Sequence, residues 1–379
     1  MDLICFSHLR WNFVYQRPQH ILSRMAKHFR ILFVEEPIFD TDKPYLDTKE
    51  NSEKVWVIVP HLQQGLAEDE INNLQESLLQ NFFEYFGVKK FIAWYYTPMA
   101  LGITGSFSPD LVVFDCMDEL SAFKNAPPLL IQREKELLAN ADVVFTGGSS
   151  LYEAKKDRHP EVYLFPSSID KKHFEKARSG NLDLIDQMEI PYPRIGFFGV
   201  IDERMDIDLL REMANMKPEW QFIIIGPVVK IDPATLPTNS NIHYLGSKSY
   251  QDLPYYLSGW DVAMMPFAMN ESTRFISPTK TPEYLAAGKP VVSTPVHDVV
   301  KSYGDTGLVE IAANAEEFIE GIQKSLDRKD NEQWLKNVDE ELATNSWDIT
   351  CDKMLNIIQG KLKNQLPDNK ITQKEDEYV

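Results

Sequence analysis

The chain has 379 residues, 43% of them apolar and 25% charged, which suits two or three domains with real cores and excludes global disorder. Against 57 Asp and Glu stand only 39 Lys and Arg, a formal charge of −18 that repels a polyphosphate backbone and excludes nucleic acid as the main partner. Cys5, Cys116 and Cys351 are far apart and lack C-x-x-C spacing, so they supply neither a zinc site nor a disulfide framework and fit a reducing compartment.

The first half alternates short apolar runs with helix-period stretches. Strands are predicted at 2–6, 31–35, 55–59, 91–95, 111–115, 143–146 and 162–165, and amphipathic helices at 18–29, 69–86, 128–139 and 149–158. Such alternation predicts a doubly wound α/β sheet. A polar stretch from Asp170 to Pro193 reads as a linker. A second alternation follows, with strands at 194–199, 220–226, 242–245, 262–266 and 290–294 and helices at 207–216, 253–258 and 282–287. Helices at 316–326, 331–343 and 347–362 close the chain. The division predicted is 1–172 and 173–346 as two Rossmann-like domains, 347–363 as a helix crossing back to the first, and 364–379 as a polar, disordered tail. No stretch approaches the roughly 18 apolar residues of a membrane span, and the N-terminus lacks the basic start of a signal peptide, so a cytoplasmic protein is expected.

In open α/β sheets ligands bind outside the carboxyl ends of the strands, so two facing sheets place a site between them. The segment Ser277-Pro278-Thr279-Lys280-Thr281-Pro282-Glu283-Tyr284 reads as a helix start with Ser277 or Thr281 as N-cap. Free N–H groups there attract anions, and Lys280 adds a charge suited to a diphosphate. Glu283, one turn on, can accept paired hydrogen bonds from vicinal hydroxyls. An ordinary helix start with a solvated Lys/Glu pair is the alternative.

The run from Pro278 through Tyr284-Leu285-Ala286-Ala287-Gly288-Lys289-Pro290-Val291-Val292 resembles the donor-nucleotide signature of GT-B glycosyltransferases. In that family the lysine serves the phosphates and the glutamate the ribose. Phe197-Phe198-Gly199-Val200-Ile201 resembles the glycine loop that opens the family's donor domain, and Ile223 to Pro227, His243 to Gly246, Leu253 to Leu257 and Asp261 to Phe267 follow in its order. Phe165-Pro166-Ser167-Ser168-Ile169-Asp170 resembles the end of its first domain. His8, Trp11 and Tyr15-Gln16-Arg17-Pro18-Gln19-His20 resemble a bacterial subgroup that includes teichuronic-acid type enzymes.

The resemblance implies a GT-B fold, two Rossmann-like domains facing a cleft, with the closing helices packed back on the first. It implies transfer of a sugar from a nucleotide-sugar co-substrate, UDP foremost, to a saccharide or lipid-linked saccharide in cell-surface polysaccharide synthesis, without a metal or other cofactor. Donor contacts would come from Gly199, Arg204, Tyr244, Leu245, Ser277, Pro278, Thr279, Lys280 and Glu283, with the base near Tyr244 to Gly246, and acceptor-side contacts from Arg17, Gln19 and His20. Asp118, and behind it Asp115, follow a strand where a general base belongs. Two departures from the family stand out. Phe275 occupies the position of the first of two glutamates that have seven residues between them, and Arg204, the one candidate clamp after Gly199, is as well placed to pair with a neighbouring carboxylate. A catalytically silent nucleotide-binding subunit and a sugar-nucleotide epimerase are the alternatives. Peripheral membrane contact would use Lys89-Lys90 and Lys155-Lys156.

Overall fold

The computed structural model describes residues 1–180, 184–328 and 332–365. Among them, nine strands form the first sheet: β1 (Asp2–Ser7), β2 (Arg30–Glu35), β3 (Ile38–Phe39), β4 (Tyr45–Glu50), β5 (Val55–Leu62), β6 (Phe91–Tyr95), β7 (Leu111–Cys116), β8 (Val143–Thr146) and β9 (Val162–Leu164). Their order is β3-β5-β2-β1-β6-β7-β8-β9, parallel except for β4, which runs antiparallel along β5. The second sheet holds β10 (Arg194–Phe198), β11 (Gln221–Ile225), β12 (Ile242–Gly246), β13 (Val262–Met265), β14 (Val291–Ser293) and β15 (Val309–Ile311), all parallel, in the order β12-β11-β10-β13-β14-β15.

Strand periodicity of two sorts side chains onto two covered faces of each sheet. Leu3 and Cys5 of β1 join one core and Ile4 and Phe6 the other. Phe222 and Ile224 of β11 likewise oppose Ile223 and Ile225. Burial on both faces is why these strands read as continuous apolar runs. Strand order reverses between β1 and β6 in the first sheet and between β10 and β13 in the second, so each sheet opens a crevice at the carboxyl ends of those pairs.

The last helix, Trp347–Gln365, sends Trp347, Cys351, Met354 and Ile358 into the core of the first sheet. It lies on helix Arg17–Met25, where Arg24 pairs with Asp348 at 2.8 Å. The chain therefore crosses back, as the resemblance implies. Residues 366–379 of the expected tail lie outside the described residues.

Three departures from the sequence reading have local causes. The edge strands β3 and β4 escape periodicity analysis because β3 has only two residues and no residue of either strand is fully buried. The stretch 170–193 is more than a linker: Phe174 and Ala177, hidden among polar neighbours, are buried in the core of the second sheet, and helices Lys171–Phe174 and Ile185–Met188 punctuate it. Lys155 offers nothing to a membrane, since its ammonium is 1% exposed between Glu119 and Glu134 at 2.6 and 2.7 Å. No helix among the described residues is long and apolar enough to cross a membrane.

Candidate active site between the two sheets

A cleft of about 470 Å³ lies between the two halves, at the carboxyl end of β10. Its floor is two glycine turns pressed together. Gly199 (φ +145°) follows β10 and Gly226 (φ +143°) follows β11, and a Cβ on Gly226 would fall 1.8 Å from the Gly199 carbonyl oxygen. A Cβ on Gly199 would fall 2.1 Å from Cε of Lys280. Only glycine at 199 permits both the positive φ and the lysine's approach.

Lys280 opens the seven-residue helix Lys280–Ala286. Its Nζ forms no hydrogen bond or ion pair with a described residue and rests 5.7 and 6.0 Å from the rings of Phe197 and Phe267. Burial first, then the nearby Arg204, hold its pKa below the ordinary lysine value. Glu283, 5% exposed and also lining the cleft, is raised by burial, with Lys280 opposing. Each charge therefore costs free energy where it stands, as is common for groups that bind a ligand. Tyr284 fixes the helix against the floor: its buried hydroxyl accepts from the Phe198 backbone N–H at 2.9 Å. Gly288 (φ +73°) ends the helix, as its sequence position predicts. Neither Ser277 nor Thr281 caps it. The residue before it is Thr279, itself helical, without a capping side chain, because Ser277 is drawn aside, its carbonyl accepting from Ser167 Oγ at 2.6 Å.

Gly199, Arg204, Thr279, Lys280 and Glu283 thus line one cleft. Arg204 does both things expected of it: it lines the cleft and is held by Asp202, Nε at 2.9 Å and Nη2 at 2.6 Å. Ser277 and Pro278 sit behind the lining, at the seam with the first half. Tyr244 and Leu245 do not reach the cleft. On β12 they point to opposite faces, Tyr244 donating to the Pro237 carbonyl at 3.1 Å and Leu245 packing into the core. The lining on that side comes one turn later, from Ser247 to Tyr250.

From the first half, Asp118 is half-buried and outside the cleft's lining, near enough to Arg204, Asp202 and Lys280 of the second half to feel their charges, and its carboxylate bonds to no described residue. Burial, partly offset by Arg204, raises its pKa to about 6. Asp115 is a different case. Strand alternation turns it beneath helix Arg17–Met25, where it is 0% exposed and takes Nε and Nη2 of Arg17 at 3.0 and 2.8 Å. Arg17 spends Nη1 on the Phe165 carbonyl at 2.7 Å. Neither residue is free for catalysis or for an acceptor. Gln19 closes a capping box with Gln16 and donates to the Trp11 carbonyl at 2.7 Å. His20 stacks on Trp347, centroids 4.7 Å apart, and burial holds its pKa well below the usual histidine range. All three expected acceptor-side residues are therefore buried in packing.

The sequence reading missed the near wall. The tip of the β4–β5 hairpin, Asn51 to Glu53, reaches the cleft with Tyr15. Tyr15 donates to Glu53 Oε1 at 2.8 Å and stacks on Tyr250 of the second half at 4.6 Å. The hairpin's first strand and tip carry no apolar run, and the aromatic pair is 235 residues apart in sequence, so only the Asn-Ser-Glu-Lys turn could have hinted at it. The halves also meet at Asp298, whose carboxylate accepts from the backbone N–H groups of Ser149 and Ser150 at 2.7 and 3.0 Å. Phe275, in place of the family's first glutamate, packs on the core of the first half with Arg274 over its ring. Among the described residues no group of three or more His, Cys, Asp or Glu is arranged to hold a metal ion.

Residues 192–328 match the family described as Glycosyl transferases group 1. A Bacillus subtilis (strain 168) protein named "Putative teichuronic acid biosynthesis glycosyltransferase TuaH" is 25% identical over 223 residues, which cover 53% of this chain and 54% of that protein, about half the length of the curated relative. Among solved structures, the sucrose-phosphate synthase (tll1590) of Thermosynechococcus elongatus superposes with a TM-score of 0.71 at 16% identity, covering 96% of this chain and 99% of that one. The trehalose-6-phosphate structure from E. coli bound with UDP-2-fluoro glucose gives 0.66 at 12% identity, covering 95% and 99%. These structural likenesses concern the fold, and they extend over both halves. The signature run and the match over residues 192–328 make the second half similar to the group 1 glycosyl transferases, and the two facing sheets give the chain the GT-B fold of its structural neighbours.

Proposed function

We propose that the protein transfers a glycosyl group from a nucleoside-diphosphate sugar, with UDP as the nucleotide, to a saccharide or lipid-linked saccharide of cell-surface polysaccharide synthesis. The observation that carries this reading is the unpaired Lys280 ammonium against the glycine floor, one helical turn from the equally unpaired Glu283. A diphosphate supplies the anion that Lys280 lacks, and a ribose diol supplies the donors that Glu283 lacks. The curated relative's name and the UDP sugar in one structural neighbour support the choice of nucleotide and pathway class.

On this reading the acceptor oxygen attacks the anomeric carbon, the bond from that carbon to the diphosphate breaks, and the acceptor proton passes to Asp118. Lys280, with Arg204 beside it, takes up the charge that develops on the leaving diphosphate, an electrostatic task that fixed cations in a dry cleft perform well. Asp118, raised to about 6, is ionised yet still basic at neutral pH, as a general base should be.

Calorimetric titration with UDP, GDP and ADP tests the binding half, and release of nucleoside diphosphate from nucleotide sugars tests the transfer half. Expected are saturable binding of one nucleotide, and nucleoside-diphosphate release only with acceptor present. Interconversion of free donor without acceptor would make the protein an epimerase. Binding without turnover would make it a silent subunit, and absence of nucleotide binding would overturn the reading altogether.

A further inference from the structure

A second cavity of about 310 Å³ lies in the first half and shares no lining residue with the cleft. It sits at the carboxyl ends of β1 and β2, roofed by helix Glu68–Tyr85 and by the turn Pro98–Ile103. Its volume falls at the lower end of the roughly 300–1,000 Å³ of small-molecule sites. Phe6, Val34, Ile71, Met99, Ile103 and Leu129 make its walls mainly carbon.

Two carboxamides interrupt the carbon. Asn72 and Gln75 are one turn apart on the roofing helix and both line the cavity. Gln75 is 4% exposed, its Nε2 reaches only the Ile71 carbonyl at 3.4 Å, and its Oε1 accepts from no described residue. Asn72 makes no side-chain hydrogen bond with a described residue. Both carboxamides line the cavity with hydrogen-bonding positions that no described residue fills, which a ligand's hydroxyl or amide groups can take up.

The charges at the rim select against anions. Glu35, Glu36 and Glu68 line the cavity; Arg10 compensates Glu35 at 3.0 Å, which leaves Glu36 and Glu68 beside Arg133, the one cation among the described lining residues, itself bridged to Glu136 at 3.0 Å. A phosphate or carboxylate entering here meets like charge without a free counter-ion.

We infer that this cavity binds an uncharged amphipathic molecule, an apolar body bearing hydroxyl or amide groups that pair with Asn72 and Gln75. Its role as the seat of the acceptor's apolar portion rests on the transfer reading above; the binding itself does not. The site is separate from the Lys280 cleft but belongs to the same face of the molecule, since Arg10 ties the two together, bonding Glu35 at 3.0 Å beside Trp11 of the cleft, whose backbone N–H donates to Glu35 at 2.8 Å.

The experiment titrates the full chain, below the aggregation threshold of each probe, with decyl glucoside, decyl phosphate and glucose. Decyl glucoside should bind saturably and at least tenfold tighter than either of the others. Met99→Trp, which fills the cavity from its half-exposed wall, should weaken it more than tenfold. Gln75→Leu, of similar volume, should weaken it about three- to tenfold, the worth of one neutral hydrogen bond. Both variants should keep wild-type UDP affinity and a wild-type circular dichroism spectrum, and the milder Gln75→Leu remains decisive should Met99→Trp fail to fold. No saturable binding of decyl glucoside, equal affinity in both folded variants, or decyl phosphate binding as tightly as the glucoside would each overturn the inference. UDP binding without glucoside binding defeats this inference alone. Glucoside binding without UDP binding defeats the transfer reading alone.

Discussion

Each half of the molecule buries a cation and a carboxylate near the carboxyl ends of its strands, and the two pairs behave oppositely. Arg17 and Asp115 in the first half satisfy each other and the Phe165 carbonyl, with nothing left over. Lys280 and Glu283 in the second sit one turn apart and remain unpaired. Arg17, Asp115 and Glu283 are buried and Lys280 is half-buried; the larger difference is whether the donors and acceptors are consumed within the protein. A closed pair holds structure together, and an open pair is free to hold a ligand.

The contrast can be broken by substitution. Asp115→Ala leaves Arg17 buried without its partner and should cost about 3–5 kcal/mol of stability, read as a fall in the urea midpoint; an unchanged midpoint would erase the distinction. Asp118→Asn should lower kcat by about 10²–10⁴-fold, the usual worth of a general base, with the KM for the donor unchanged. Its stability should move the other way. The folded carboxyl, raised to about 6 from 3.8 mainly by burial, binds its proton more tightly than the unfolded one. Its contribution is therefore full below about 3.8 and lost as pH rises through about 6. Asp118→Asn should melt above wild type at pH 8, with the gap closing toward pH 4. Lys280→Ala should weaken nucleoside-diphosphate binding by about 10²–10³-fold, a loss comparable to that of one preorganised charge-stabilising group, while leaving the melting temperature at or above that of wild type. If it instead unfolds the protein, Lys280 is a second Arg17. At the small end, Tyr244→Phe should cost about 0.5–1.5 kcal/mol for its bond to Pro237 and leave nucleotide affinity untouched.

Much of the fold was legible because it rests on local pattern. Parallel strands buried on two faces announce themselves as apolar runs, and the Trp347 helix carries its own apolar stripe. The strands that escaped, β3 and β4, lie at an edge where no pattern is enforced. In the site, Gly199, Lys280 and Glu283 were legible because glycine at a turn and a charge at a helix start have chemistry of their own. Arg17, Gln19 and His20 misled for the same reason: they too are polar residues at a helix start after the first strand. Their partners, Phe165, Trp11 and Trp347, are set by packing across the chain. Tyr244 and Leu245 misled by register, since the strand continues past them and hands the cleft to Ser247–Tyr250.

The sequence by itself determined two parallel α/β sheets, the order of their elements and the residues of the glycine floor with its lysine and glutamate, because these follow from periodicity and from the conformational needs of single residues. Tertiary structure alone decided which charges were spent. Whether a buried cation is closed by a carboxylate 98 positions away, as Arg17 is, or left open, as Lys280 is, depends on how the sheets and helices come together, and that is also what put the β4–β5 hairpin against the cleft and hollowed the amide-lined cavity beside it.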